Sequence, residues 1–134
     1  MMGTQISPML AVSDPDAAID FYKRAFGAEE LWRIGQPAEV AGLSIGGARL
    51  FLARENPPAT RSPDSAGHTT VRIELFDDDP QGVHDRAMAA GARNGSRVEE
   101  RTHQTIGPRT TLRMLQGSVI DPFGHVWLIG KFLG

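Results

Sequence analysis

No cysteine occurs in the 134 residues, which removes disulfides, thiolate zinc sites and cysteine nucleophiles together. No run approaches the roughly 18 apolar residues that a membrane-spanning helix needs. A basic excess is also missing: 14 Lys and Arg stand against 16 Asp and Glu, a formal net charge of −2. That balance argues against a nucleic-acid surface, which gathers cationic side chains opposite phosphate. Met1 to Ser7 hold no basic cluster leading into an apolar stretch, so no secretory signal is expected there. What remains is a soluble composition, 40% apolar and 22% charged, in a length that suits one domain. The expected setting is the cytoplasm. The expected partners are a small organic molecule and a second copy of the chain, with neither nucleic acid nor membrane.

The chain repeats itself. A shift of 64 positions superimposes Val12 on Phe76, Asp14 on Asp78, Ile19 on Val83 and Gly27 on Gly91. Asp14-Pro15 and Asp79-Pro80 each offer an N-cap acceptor, then a residue whose missing N–H costs nothing at the first helical position. Gly27 and Gly91 sit where a helix ends in a left-handed residue. The spacing predicts helices between these caps, with Ala18, Ile19, Tyr22 and Phe26 on one face of the first. The second presents Val83, Ala87 and Ala90, a thinner surface that can lie close to a sheet.

Strands are expected on either side of the helices. Thr70 to Phe76 alternates, with Val71, Ile73 and Leu75 against Thr70, Arg72 and Glu74; Ser7 to Val12 is a weaker version. Glu30 to Ile34, Val40 to Ile45 and Arg49 to Ala53 follow in the first half, the last two joined by a Gly46-Gly47 hairpin signal. Arg97 to Arg101, Thr111 to Leu115 and His125 to Ile129 fill those roles in the second. The fold class is therefore α+β: a single domain over 1–134, with βαβββ modules at 5–55 and 68–134 and a proline-rich linker at 56–67. Phe51 and Leu128 are 77 positions apart although the helices are 64 apart, which places an insertion around 99–111. That segment is expected to be a lid or a disordered loop.

Three segments carry a family resemblance: Val12-Ser-Asp-Pro-Asp-Ala-Ala-Ile-Asp-Phe-Tyr-Lys-Arg-Ala-Phe-Gly27, Ala89-Ala-Gly-Ala92, and Ile120-Asp-Pro-Phe-Gly-His-Val-Trp127. Their order and spacing resemble the vicinal-oxygen-chelate superfamily, which includes glyoxalase I, extradiol dioxygenases and bleomycin-resistance proteins. Within it the sequence is most similar to the PhnB-like or bleomycin-resistance-like subgroup. The resemblance covers nearly the whole chain. It implies two tandem βαβββ modules forming a half-open barrel with a concave ligand-binding sheet, completed by a homodimer that can be strand- or domain-swapped. It also implies four metal-ligand positions on the concave face, and these fall on Ser7, Phe51, near Arg72, and Leu128. Divalent metals in such sites need imidazole or carboxylate donors, so no metal and no other cofactor is expected.

Candidate ligand-binding residues follow from strand parity and the extra segment. Phe51 and Leu128 face the concavity, with Ser7 and Met9 beside them and Arg72 and Glu74 as charged neighbours. A charged pair on one strand face is equally well read as solvated side chains of little consequence. Trp32 is either core or one wall of the site, and Met114 offers adaptable apolar contact. Trp127, one position from Leu128, belongs to the core. His68 joins the concave face only if the following strand reaches back to it; otherwise it is an exposed residue at a strand start. His103 and Arg109 sit in the extra segment, where ligand contacts concentrate on loops. His84 reads as a helix–sheet boundary residue, and His125 as part of a turn. The leading expectation is a binding protein that sequesters or carries an aromatic or amphipathic molecule, in the manner of antibiotic-resistance proteins. The alternatives are a glyoxalase-type lyase or isomerase, or a dioxygenase-like enzyme, with a relocated metal site at His68, Glu74 or His103. Metal-free proton transfer by Glu74 or His103 is a further alternative.

Overall fold

The computed structural model describes residues 3–108 and 111–134. Strand β1 (Met9–Val12) leads into helix α1 (Pro15–Phe26), followed by β2 (Glu29–Ile34), β3 (Val40–Ile45) and β4 (Ala48–Arg54). A short helix α2 (Pro63–Ala66) crosses to β5 (Arg72–Phe76), helix α3 (Pro80–Ala90), β6 (Arg93–Gln104), β7 (Thr111–Ile120) and β8 (Val126–Phe132). The strands form two four-stranded mixed sheets, ordered β1-β4-β3-β2 and β5-β8-β7-β6. In each, the first strand pairs in parallel with the last, and the hairpins between are antiparallel. Among the described residues the sheets do not join into a closed barrel.

The caps form as their chemistry dictates. The Asp14 side chain accepts the Ala17 N–H at 3.2 Å and that of Asp79 accepts the Gly82 N–H at 3.0 Å, with proline next in line both times. At the other end, Gly27 adopts φ +67°, a left-handed conformation that side chains with a Cβ resist. The helices differ by one residue, 12 in α1 and 11 in α3. The repeat is therefore offset by 65 at the N-caps, where Asp14 matches Asp79 and not Asp78, and by 64 at the closing glycines.

Both helices lie on one side of the sheets and touch each other. The core between them and the sheets is built on Phe21, Tyr22, Phe26, Leu43, Leu52, Trp127 and Ile129. Trp127 is 2% exposed and packs on Phe26 with ring centroids 4.4 Å apart.

Three local expectations need correction. The strand expected from Thr70 begins at Arg72, because the Thr69 hydroxyl donates to the Val71 carbonyl at 2.9 Å and turns the chain there. The first strand likewise begins at Met9 and not at Ser7. The 99–111 segment is mostly no loop: its surplus lengthens β6 and β7 into a ribbon in which Glu99 pairs with Gln116 and Gln104 with Thr111. Paired backbone satisfies polar groups that a loop would leave to solvent. The 56–67 linker, for its part, contains α2, whose Asp64 N–H donates to the Phe123 carbonyl at 2.8 Å.

Candidate functional site

Residues directly opposite one another in adjacent strands share a sheet face. In the first sheet Met9 stands opposite Phe51, Phe51 opposite Gly42, and Gly42 opposite Trp32. Leu50 and Leu52, on either side of Phe51, are buried toward the helices, so this row faces away from them. Gly42 leaves the row without a side chain at one point, and the Trp32 indole lies across the gap. A Cβ added to Gly42 would come 2.5 Å from Trp32 Cε2. The indole reaches the Phe51 ring at a centroid distance of 5.4 Å and an interplanar angle of 53°. Met9 is 56% exposed and Trp32 39%, which makes this an open aromatic surface and not a core.

The corresponding row of the second sheet is polar. Glu74 stands opposite Leu128, and Leu128 opposite Ser118. Glu74 Oε1 accepts a hydrogen bond from Gln116 Nε2 at 3.3 Å. Arg72 lies one row along, opposite Val126. At the far end of the same face Phe76 and Phe132, each 50% exposed, stack at 4.9 Å. Between the two modules opens a cleft of about 900 Å³ that Ser7 and Glu74 both line.

The expected site residues thus divide. Met9, Phe51 and Trp32 meet on one sheet face, and Glu74, Leu128 and Arg72 share the other. Ser7 borders the cleft. Met114 is 4% exposed, on the same face as its partner Phe132, and its surface is already covered. His68 sits in the bend ahead of β5, outside the strand that would have carried it onto the concave face. His103 is exposed on the ribbon opposite Leu112. Arg109 lies outside the described residues.

The four family ligand positions present a hydroxyl, a phenyl ring, a guanidinium and an aliphatic side chain. This donor set does not suit a divalent metal. A relocated site would need His68, Glu74 and His103 to converge, and among the described residues no three His, Cys, Asp or Glu are grouped to hold an ion.

One constellation was not foreseen. Asp121, 1% exposed, accepts hydrogen bonds from Tyr22 Oη at 2.5 Å, Trp127 Nε1 at 2.9 Å, and the Phe123 and His125 N–H groups at 2.9 and 3.0 Å. Burial, then the Asp121 charge, pushes the Tyr22 hydroxyl well above its usual range. His125 Nε2 meets the Ala11 carbonyl at 2.8 Å, tying β8 to the free edge of β1. The Asp-Pro-Phe-Gly-His segment therefore fastens the two modules together. Its signal in the sequence was the motif itself, while its partner Tyr22 lies 99 positions away.

Comparison with known proteins places these features. The model of the Glyoxalase/Bleomycin resistance protein/Dioxygenase superfamily matches residues 5–129. An uncharacterized protein of Mycobacterium bovis is 37% identical over 133 residues, a match covering 94% of this chain and 82% of its own. One from Mycobacterium tuberculosis is equally identical, with 73% of its own length covered. Among solved structures, TioX from Micromonospora sp. ML1 superimposes with a TM-score of 0.68 at 27% identity, covering 96% of this chain and 95% of that one. The fosfomycin resistance protein FosX from Mesorhizobium loti gives a TM-score of 0.62 at 16% identity, covering 98% and 93%, a likeness of fold alone.

Proposed function

The chain belongs to the Glyoxalase/Bleomycin resistance protein/Dioxygenase superfamily, and we propose that within it this protein binds a small aromatic or amphipathic organic molecule without a metal. The observation that carries this reading is the Trp32 indole laid over Gly42 against Phe51. Leaving an indole and a thioether exposed on a sheet face costs hydrophobic stabilisation, which a planar ligand stacked there recovers. Glu74 with Gln116, and Arg72, supply the few polar anchors that orient a ligand among apolar walls. Sequestration of an antibiotic-like compound is the role this supports, and the cysteine-free sequence suits a cytoplasmic setting. A homodimer completes the reading, since two sheets with free edges and an exposed Phe76–Phe132 pair gain from cover.

The two tryptophans make the test direct, because Trp32 is exposed and Trp127 is buried. Titration with a panel of aromatic natural products is expected to change the Trp32 emission saturably. In Trp32→Phe protein the affinity should fall at least tenfold by calorimetry. A panel that leaves emission unchanged, or an affinity indifferent to Trp32→Phe, would sink the proposal. Sedimentation at micromolar concentration tests the dimer, and a single monomeric species would refute it.

A further inference from the structure

The duplication creates two seams where the edge strand of one sheet passes the last hairpin of the other module. At the first, β1 faces the turn ahead of β8. This seam is filled: the Pro122-Phe123-Gly124 turn buries the Phe123 ring 6.4 Å from Tyr22, and His125 reaches the Ala11 carbonyl. The Ser62 hydroxyl and Asp64 N–H of the α2 segment then close over the Phe123 carbonyl.

At the second seam β5 faces the turn ahead of β4, and the filling side chains are gone. Gly46-Gly47 stands where Pro122-Phe123-Gly124 stands in the other hairpin, and Ala48 takes the place of His125. Eight residues past the cap, where α1 carries Tyr22, α3 carries Ala87. At the hairpin, where Gly46, Gly47 and Ala48 line it, opens the cleft of about 900 Å³. Its apolar lining includes Phe26 and Trp127, Val83 of α3 and Leu75 of β5. Its rim carries charge of both signs: Glu74 and Asp77 on the β5 side, Arg49 on the hairpin and Arg86 on the helix. Among the described residues none of these four forms an ion pair with another.

We propose that this seam cleft is a second ligand site, for a small aromatic molecule whose polar end carries one charge of each sign, the class of free aromatic amino acids. The ring takes the place that Phe123 fills at the sealed seam, over the buried Phe26 and Trp127 rings that floor the cleft. The ammonium group meets Asp77, which lies on the helix side of β5 with Leu75, and the carboxylate meets Arg49. Charges held apart on opposite walls of a partly enclosed cleft select a dipolar ligand over one of either sign alone. Met9, Phe51 and Trp32 do not line this cleft, so its aromatic contacts are separate from those of the sheet face described above, although Glu74 and Ser7 border both.

Calorimetry on the intact protein with phenylalanine, 3-phenylpropionate and phenethylamine tests the inference. Phenylalanine is expected to bind at least tenfold more tightly than either single-charge analogue. It should also shift the Trp127 emission in Trp32→Phe protein, with unchanged affinity. Val83→Phe, which puts a ring into the cleft, should cut phenylalanine binding at least tenfold while the circular dichroism spectrum is retained. Ala48→His, a copy of the sealed seam, provides the same test should Val83→Phe unfold. Arg49→Gln should weaken phenylalanine and 3-phenylpropionate about tenfold and leave phenethylamine unaffected. Absence of binding by phenylalanine, or binding undiminished by the filled cleft, overturns the proposal. So does a Val83→Phe protein that changes only its sedimentation, which would assign the cleft to a second copy of the chain.

Discussion

The two halves repeat one order of elements, but their helices meet the interior differently. Helix α1 brings three rings to the core, Phe21, Tyr22 and Phe26, whereas α3 brings Ala87 and His84. The sheets diverge in the opposite sense on their outer faces. The first sheet exposes Met9 and Trp32 beside a half-buried Phe51, and the second exposes Arg72 and Glu74 opposite Val126 and Leu128. Duplication preserved the caps and the pairing pattern, which are local and backbone-based. The side chains at equivalent positions differ, core on one side and exposed surface or cleft on the other.

The largest expected effect comes from breaking the fastening that only one seam has. Asp121→Ala leaves the Tyr22 hydroxyl, the Trp127 indole N–H and two backbone N–H groups buried without their acceptor. A loss of about 3 kcal/mol or more is expected in urea unfolding, since each orphaned buried donor carries its own desolvation cost. The equivalent position of the first half, Ile45, holds no such network, and Ile45→Ala should cost about 1–2 kcal/mol as a half-buried aliphatic. Equal losses at the two positions would erase the distinction between the seams.

Tyr22→Phe sharpens the same contrast, with an expected loss of about 1–2 kcal/mol at neutral pH. Its pH dependence is more diagnostic. The folded state holds the Tyr22 hydroxyl above its ordinary value of 10.0, by burial first and the Asp121 charge second. That contribution is complete below pH 10 and is lost as pH rises above it, because the unfolded chain releases the proton first. Wild-type protein should therefore lose stability on the alkaline side more steeply than Tyr22→Phe.

Gly42→Val tests the aromatic face. Any side chain there collides with the Trp32 indole, so the ring must swing off the sheet. A stability cost of about 1–3 kcal/mol is expected, together with a red-shifted, more exposed Trp32 emission and weakened stacking of planar ligands. The counterpart row of the second sheet offers the comparison: Leu128→Val should leave the Trp32 emission where it was.

How far the sequence carried this picture depended on the range of the interactions. Asp14-Pro15, Asp79-Pro80 and the closing glycines were legible because a cap involves residues within one turn. The full length of the ribbon was not: Arg97 to Arg101 was expected as a strand, but Thr102 to Gln104 is polar and shows no alternation, and its strand character comes from pairing with β7. Trp32 could not be assigned to core or wall until the pairing register put Gly42 opposite it. Asp121 showed only as part of the motif around His125, because three of its four donors are nearby and the fourth is on α1. The cleft is a lack of volume shared between Gly46, Gly47 and Ala48, and no single one of these announces it.

The smallest expected effect lies on the first sheet, in a four-residue ion cluster that is larger than any among the described residues of the second. Glu30 accepts from Arg33 Nε and Nη2 at 2.8 and 2.7 Å and from Lys23 Nζ at 3.1 Å, and Arg33 also reaches Asp16 at 3.0 Å. The ion pairs of the ribbon are simpler, as in Arg113 on Glu100. Hydrogen bonds from Arg33, then Lys23, hold the Glu30 carboxyl down at about 2, against an ordinary 4.5. A depressed carboxyl stabilises the fold above pH 4.5, and the contribution is lost as pH falls through 2. Because the cluster is solvent-accessible, Glu30→Gln should cost under about 1 kcal/mol at pH 7 and 0.15 M salt. The Glu30→Gln protein should nonetheless show a flatter stability profile between pH 4.5 and 2 than wild type, whereas Glu100→Gln should follow wild type closely. A Glu30→Gln profile as steep as that of wild type would show that the acid sensitivity of the first module arises elsewhere.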